Sequence, residues 1–322
     1  MTLLKALSTA LILGSFFGAA GAVQAQDYPN KPVRLILGPS PEATPRLVAE
    51  RLAKELGHPV IVDPRLGAGG EIAAKATLSA PADGYTLLYA SSNFSLATAM
   101  QLGSFNFAED FEPIGRVGTS AYVLVVHPSL PVKTPAELIA YAKANPGKIN
   151  CGSSGMATPG HLSCEMLKSM AGIDIVHVPY KNASTGMAAL MANEVNISIT
   201  VSTAARSQIE AGTIRGLAVT TAEPSPLIPN LPPLQETIPG FVVHGWGSIV
   251  APKGTPKEVI EKVNTALMAV LKDPETHAKI SSFGMRPSDP HTPAQFGTFI
   301  RGEIARWNKT IDEAGVKRGK PE

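Results

Sequence analysis

Short apolar runs recur along the chain, each followed by a stretch with helical periodicity. Val33–Leu37 (VRLIL), apolar apart from Arg34, is such a run, as expected of a strand covered on both faces in a parallel sheet. Residues 45–56 follow with Val48, Leu52 and Leu56 on one helical face, and Gly57 closes them. A strand over 60–62, a glycine-rich turn over 65–70, a helix over 71–80 and a strand over 85–90 continue the pattern as far as the polar set Ser91, Ser92 and Asn93. A second series places strands at 122–126 (YVLVV), 149–152, 175–179, 195–200 and 214–219. This alternation predicts an α/β fold with parallel-rich sheets. In such sheets the loops after the strand C-termini line the ligand crevice.

The proline-rich run 223–239 reads as an irregular connection back to a strand over 246–250. Two α/β units joined by two crossings predict a hinge, near 122–126 and 245–251, with a cleft between the units. Length points the same way, because a chain of 322 residues exceeds the size at which single cores stop growing. The expected division is a signal peptide over 1–25, a first domain over 26–122 and 246–322, and a second domain over 123–245. The signal peptide follows from Lys5, the apolar run 6–20 and the small residues of Val23-Gln24-Ala25, with cleavage expected after Ala25. The apolar run is shorter than the ~20 residues a spanning helix needs. With 28 basic and 26 acidic residues, the formal net charge of +2 leaves no electrostatic footprint for nucleic acid or anionic lipid.

Within the second series, 149–170 (INCGSSGMATPGHLSCEMLKSM) joins a strand end, a small polar loop and a helix start. Thr158-Pro159 reads as N-cap and first helical residue, which presents a helix N-terminus beside Ser153 and Ser154. Free first-turn N–H groups and the helix dipole favour an anion there, although the serines also suit an ordinary turn and Thr158 an ordinary cap. Residues 155–161 have the glycine spacing of a phosphate loop, but His161 stands where the lysine belongs and no Mg²⁺-binding hydroxyl follows, so a nucleotide site is excluded. Three Thr-Pro-x-Glu/Gln boxes, at Thr134, Thr255 and Thr292, predict helix starts, and Asp273-Pro274 predicts another.

The two cysteines, Cys151 and Cys164, are too few for a disulfide scaffold. One ends a strand and the other lies on the second turn of the next helix, so a bond is unforced and both are expected free. No Cys or His cluster has metal-site spacing, and no cofactor is implied. An exported hydrolase is the competing class, with Ser153, Ser154, His161 and His177 as its candidate letters. The chain carries neither G-x-S-x-G nor H-E-x-x-H. His161 is expected to be a polar surface or pocket residue, and His177 a satisfied core histidine.

The stretches YPNKPVRLIL, RLGAGGEIAAKA, APADGYTLLYAS, HLSCEMLKSMAGIDIVHVPYKNAS, EAGTIRGLAVTT and WGSIVAPKGTP, with Trp307 and Ala314-Gly315 near the end, resemble the Bug family in this order across the mature chain. These are the periplasmic solute receptors of tripartite tricarboxylate transporters. The resemblance implies a two-domain periplasmic-binding-protein fold of type II character that closes on a small organic acid, without catalysis, for membrane permease subunits. A receptor that signals to a membrane sensor is the alternative. By position, the cleft would be lined by Ser40, Thr44 and Arg46, by Ser91, Ser92 and Asn93, by Ser153, Ser154 and Thr158, and by Tyr180, Ser184 and Thr200. The chain departs from the family where a glycine-rich first loop usually ends in Asp, having Glu42-Ala43-Thr44-Pro45-Arg46, and again at Thr200, where an Asp is common. Arg46, expected at the second position of its helix, opposes the helix dipole and needs an anion. Glu42 can supply it, or a ligand carboxylate can.

Overall fold

The computed structural model describes residues 28–319 apart from 39–41, 66, 68–69, 157 and 226. The expected signal peptide and Ser40 lie outside the described residues. In chain order the elements are β1 (Val33–Leu37), α1 (Ala43–Leu56), β2 (Val60–Pro64), α2 (Glu71–Leu78), β3 (Thr86–Ser91), α3 (Asn93–Ala99), β4 (Phe111–Val126), α4 (Pro135–Ala144), β5 (Ile149–Ser153) and α5 (Pro159–Ala171). Then come β6 (Ile175–Pro179), α6 (Ala183–Met191), β7 (Ile197–Val201), α7 (Ser202–Glu210), β8 (Arg215–Val219), β9 (His244–Pro252), α8 (Lys257–Lys272), α9 (Pro274–Ser282), β10 (Met285–Pro287) and α10 (Pro293–Glu313).

The strands run in the order β2-β1-β3-β9-β4-β7-β5-β6, with β8 and β10 paired to β4 off this path. At either end the pairing is parallel, β2-β1-β3 in one half and β7-β5-β6 in the other. Every antiparallel pair involves β4 or β9, in the middle. The 16-residue strand β4 serves both halves: Phe111 to Ala121 pair with β9, and Tyr122 to Val126 pair with β7. The second crossing passes through Val243, whose N–H donates to Thr220 O, before β9 starts at His244. Buried Thr220 ties the crossings together, its Oγ1 lying 3.2 Å from Tyr122 O and 2.6 Å from Val243 O.

Each half is a three-layer sandwich, because alternate side chains of one strand enter different cores. Val33, Leu35 and Leu37 of β1 pack with α1 and α8, whereas Ile36 packs with Ala73 and Ala74 of α2 and Phe94 of α3. In the other half, Val123 and Val125 meet α6 and α7, and Leu124 and Val126 meet α4 and α5. Helix α10 straddles the two: Phe296 and Ile300 join the β1–β3 side, while Trp307 and Ile311 sit in the core with Leu124.

Several expectations are corrected. Cys151 and Cys164 form a disulfide with Cα atoms 6.2 Å apart, because the tightly packed start of α5 lays its second turn over β5 and brings both cysteines into one dry core. Helix α1 begins at Ala43 with Glu42 as N-cap, so Pro45 is third and Arg46 fourth, with the Arg46 N–H donating to Glu42 O at 3.1 Å. Thr255 caps no helix; its hydroxyl donates to Pro252 O, and α8 opens at Lys257. The caps at Thr134, Thr158, Asp273 and Thr292 form, and an Asn182–Thr185 capping box opens α6.

Candidate functional site

The C-terminal ends of β5 and β7 and the first turns of α5 and α6 converge on a cavity of about 60 Å³, lined among others by Tyr122, Ser153, Ser154, Ser198 and Thr200. Two glycines let its walls approach. A Cβ on Gly160, in the first turn of α5, would stand 2.9 Å from Ile199 O of β7, and one on Gly186 would stand 3.4 Å from Ser153 O. Thr158 fixes the loop before α5 by donating to Gly155 O at 2.8 Å and accepting from the His161 N–H at 3.3 Å. Tyr180 closes the loop from the other side, its N–H donating to Ser153 O at 2.9 Å.

Ser153 is buried, and its hydroxyl faces inward. Its Oγ lies 2.7 Å from His177 Nε2 and 3.1 Å from Gly155 O, and it accepts from the Gly155 N–H at 3.2 Å. The rings of His177 and His161 stand 4.2 Å apart. Burial, and then His161 beside it, hold His177 down at about 4, and burial lowers His161 as well. Both imidazoles are therefore neutral at pH 7. His161 is a core residue, 3% exposed, rather than the surface or pocket residue expected, and His177 is part-buried with Ser153 as its partner. Among the described residues no carboxylate orients His177, so the pair lacks the third member of a nucleophilic triad. The hydroxyl instead stiffens the loop that presents Ser154 and the helix start.

The other expected residues are placed less uniformly. Ser184 is exposed on the first turn of α6 and does not line this cavity. Across the crossing strands, Ser91 ends β3, and Ser92 is buried with its N–H on Trp246 O at 3.0 Å. Asn93 opens α3. Thr44 is buried within α1, and exposed Arg46 pairs with Glu42, Nε at 2.9 Å and Nη2 at 2.6 Å from Oε2. Reading loops alone misses Ser198, a strand residue whose Oγ donates to Gly152 O at 2.8 Å. Ser202 is missed as an individual residue: it opens α7 fully buried, with its Oγ unpartnered, where no side chain caps the helix. Position could have found Ser202, since it follows directly on a strand C-terminus. Among the described residues no group of His, Cys, Asp and Glu could hold a metal, and no helix is long and apolar enough to cross a membrane.

Residues 44–316 match the model of the tripartite tricarboxylate transporter family receptor. The chain belongs to this family. The receptor is similar to BugT of Bordetella pertussis, 33% identical over 319 residues, which are 95% of this chain and 97% of the relative. Among solved structures, an R. palustris protein with adipate superposes with a TM-score of 0.80 at 33% identity, covering 91% of this chain and all of its own. The periplasmic binding protein BugD gives 0.76 at 29% identity over 91% of this chain and all of its own. The receptor is thus a periplasmic solute-binding protein with the two-domain α/β architecture, in a family of receptors rather than enzymes.

Proposed function

We propose that the receptor captures a small organic acid in the cleft between the two sheet halves and delivers it to the membrane permease subunits of a tripartite transporter. The carrying observation is the convergence of Ser153, Ser154, Ser198 and Thr200 beside the first turns of α5 and α6 and Val201, the residue before α7. Hydroxyls and first-turn N–H groups together suit a carboxylate without needing a cationic side chain. The adipate in the R. palustris relative supports a dicarboxylate as the first candidate. Ser91, Ser92 and Asn93 at the end of β3, with Ser40, Thr44, Arg46, Thr158, Tyr180 and Ser184, complete the proposed lining when the cleft closes. Closure rotates the halves about Ala121–Tyr122 and Val243–His244, where the two crossings are tied by Thr220. The family's periplasmic setting supports cleavage after Ala25 as the step that frees the mature chain.

A thermal-shift screen over mono-, di- and tricarboxylates tests the reading. A cognate acid at 100 times its dissociation constant stabilises the protein by about 2.7 kcal/mol. If none of these acids raises the melting temperature at millimolar concentration, the carboxylate assignment is wrong.

A further inference from the structure

A second cavity, of about 290 Å³, lies beside the crossing strands and shares no lining residue with the cleft cavity. Adjacent residues of β4 separate them, Ala121 lining the one and Tyr122 the other. Arg116 contributes from β4, His244 from β9, Phe299 from α10 and Leu227 from the segment after β8.

Arg116 is held in a fixed pose. Its guanidinium lies over the Phe299 ring, 4.4 Å from the centroid, and its Nε donates to Ser288 Oγ at 2.8 Å. Among the described residues its two Nη groups make no hydrogen bond and it makes no ion pair. Glu303 and Asp289 favour its charge without forming an ion pair with it, and the other nearby charges are committed elsewhere. Arg286 pairs with Glu223 at 2.6 Å, while Glu303 accepts from Arg306 and from Trp246 Nε1. Burial lowers the pKa of His244, so it adds no charge at pH 7. A half-buried cation without an ion-pair partner stands against a wall that is otherwise largely apolar, with Ala121, Val242, Leu227 and Met285. A planar guanidinium with both Nη groups free suits bidentate pairing with a carboxylate. The volume is close to the lower end for small-molecule sites.

We infer that this cavity is a second ligand site, which takes a small carboxylic acid with an apolar body, its carboxylate on Arg116. Because the walls come from both sides of the crossing, occupancy is linked to closure. Cleft ligand and second acid then alter each other's affinity reciprocally, a consequence that rests on the closure reading.

Titration calorimetry of the mature, disulfide-bonded protein with benzoate, without any cleft ligand, tests the site itself. Benzamide serves as the uncharged control. Ala222→Trp fills the cavity from its exposed rim, Arg116→Met removes the charge, and Thr200→Trp obstructs the cleft. Benzoate is expected to bind the wild type and Thr200→Trp alike, and to bind Arg116→Met and Ala222→Trp about tenfold or more weakly, with benzamide similarly weak. Absence of benzoate binding at about 10 mM overturns the proposal, as does undiminished binding in both cavity variants. Loss of binding in Thr200→Trp alone places benzoate in the cleft and also overturns it. Should Arg116→Met fail to fold, Ala222→Trp, at an exposed position, carries the test. A failed carboxylate screen at the cleft leaves this result standing, since the two sites share no residue.

Discussion

The cleft cavity is lined by Ser153, Ser154, Ser198 and Thr200 and contains no charged side chain, whereas the cavity beside the crossing strands holds Arg116, Arg286, Glu223 and His244. Polar groups in the first are short and fixed close to the backbone: Ser198 donates to Gly152 O, and Ser153 is held by His177 and Gly155. In the second, a long side chain is aimed by an aromatic ring and one serine. Short hydroxyls on rigid elements discriminate by shape and hydrogen-bond geometry, while a guanidinium discriminates by sign of charge and tolerates varied bodies. Binding at the cleft is therefore expected to depend on local backbone rigidity, and binding beside the crossing on charge and ionic strength.

The largest effect should come from the disulfide, which pins α5 to β5 on the cleft side alone. Its cysteines are 13 positions apart, and a loop of about that length corresponds to roughly 3 kcal/mol of stability. Urea unfolding with and without reductant measures this. Cleft affinity should fall on reduction, while benzoate affinity holds; equal loss at both sites would break the contrast.

Next comes Gly160→Ala. The added Cβ meets backbone at Ile199 O, which cannot swing aside, so α5 must move off β7. A cost of about 1–3 kcal/mol is expected, with weaker binding of any cleft acid. A variant with unchanged melting temperature and affinity would show that the close approach is dispensable.

A third, smaller effect concerns pH. His177 titrates near 4 when folded and near 6.5 when unfolded, and His161 is lowered too, so the unfolded chain takes up protons first. Stability from the neutral pair is full above about pH 6.5 and is lost as pH falls through about 4. Partial exposure of His177 limits the loss to the order of 1 kcal/mol. Denaturant midpoints across this range should slope in the wild type and flatten in His177→Asn; identical slopes would remove the pair from the account.

Smallest is the exposed Glu42–Arg46 pair at the start of α1, where Glu42→Ala and Arg46→Ala should each change stability by less than about 1 kcal/mol. Affinity sharpens the contrast. A drop of about 1.5–3 kcal/mol for Arg46→Ala alone would place a charged contact in the cleft after all.

Legibility followed from how local each signal is. VRLIL and YVLVV read as buried strands because both faces are covered, and their apolar runs say so without tertiary information. The first part of β4, FEPIGRVGTSA, escaped notice because bulges between Pro113 and Gly115 and between Arg116 and Gly118 break its period of two. Gly118 is small there for a distant reason: a Cβ would stand 2.6 Å from Arg286 O. The candidate residues at the ends of β5 and β7 were legible by position, since strand ends before helix starts are where an α/β sheet presents backbone donors. Ser198 was not, because an interior strand residue reaches the cavity only through the register of its neighbours.

By itself the sequence determined the α/β alternation, the helix starts at Thr134, Thr158, Asp273 and Thr292, and the family, because apolar periodicity, capping side chains and motif order act over a few residues each. Tertiary structure alone decided the Cys151–Cys164 bond, the sharing of β4 and α10 between two cores, and the unpaired Arg116 over Phe299. Those depend on distances between segments 13 to more than 180 positions apart, which no local pattern encodes and which only the packing of whole sheets and helices sets.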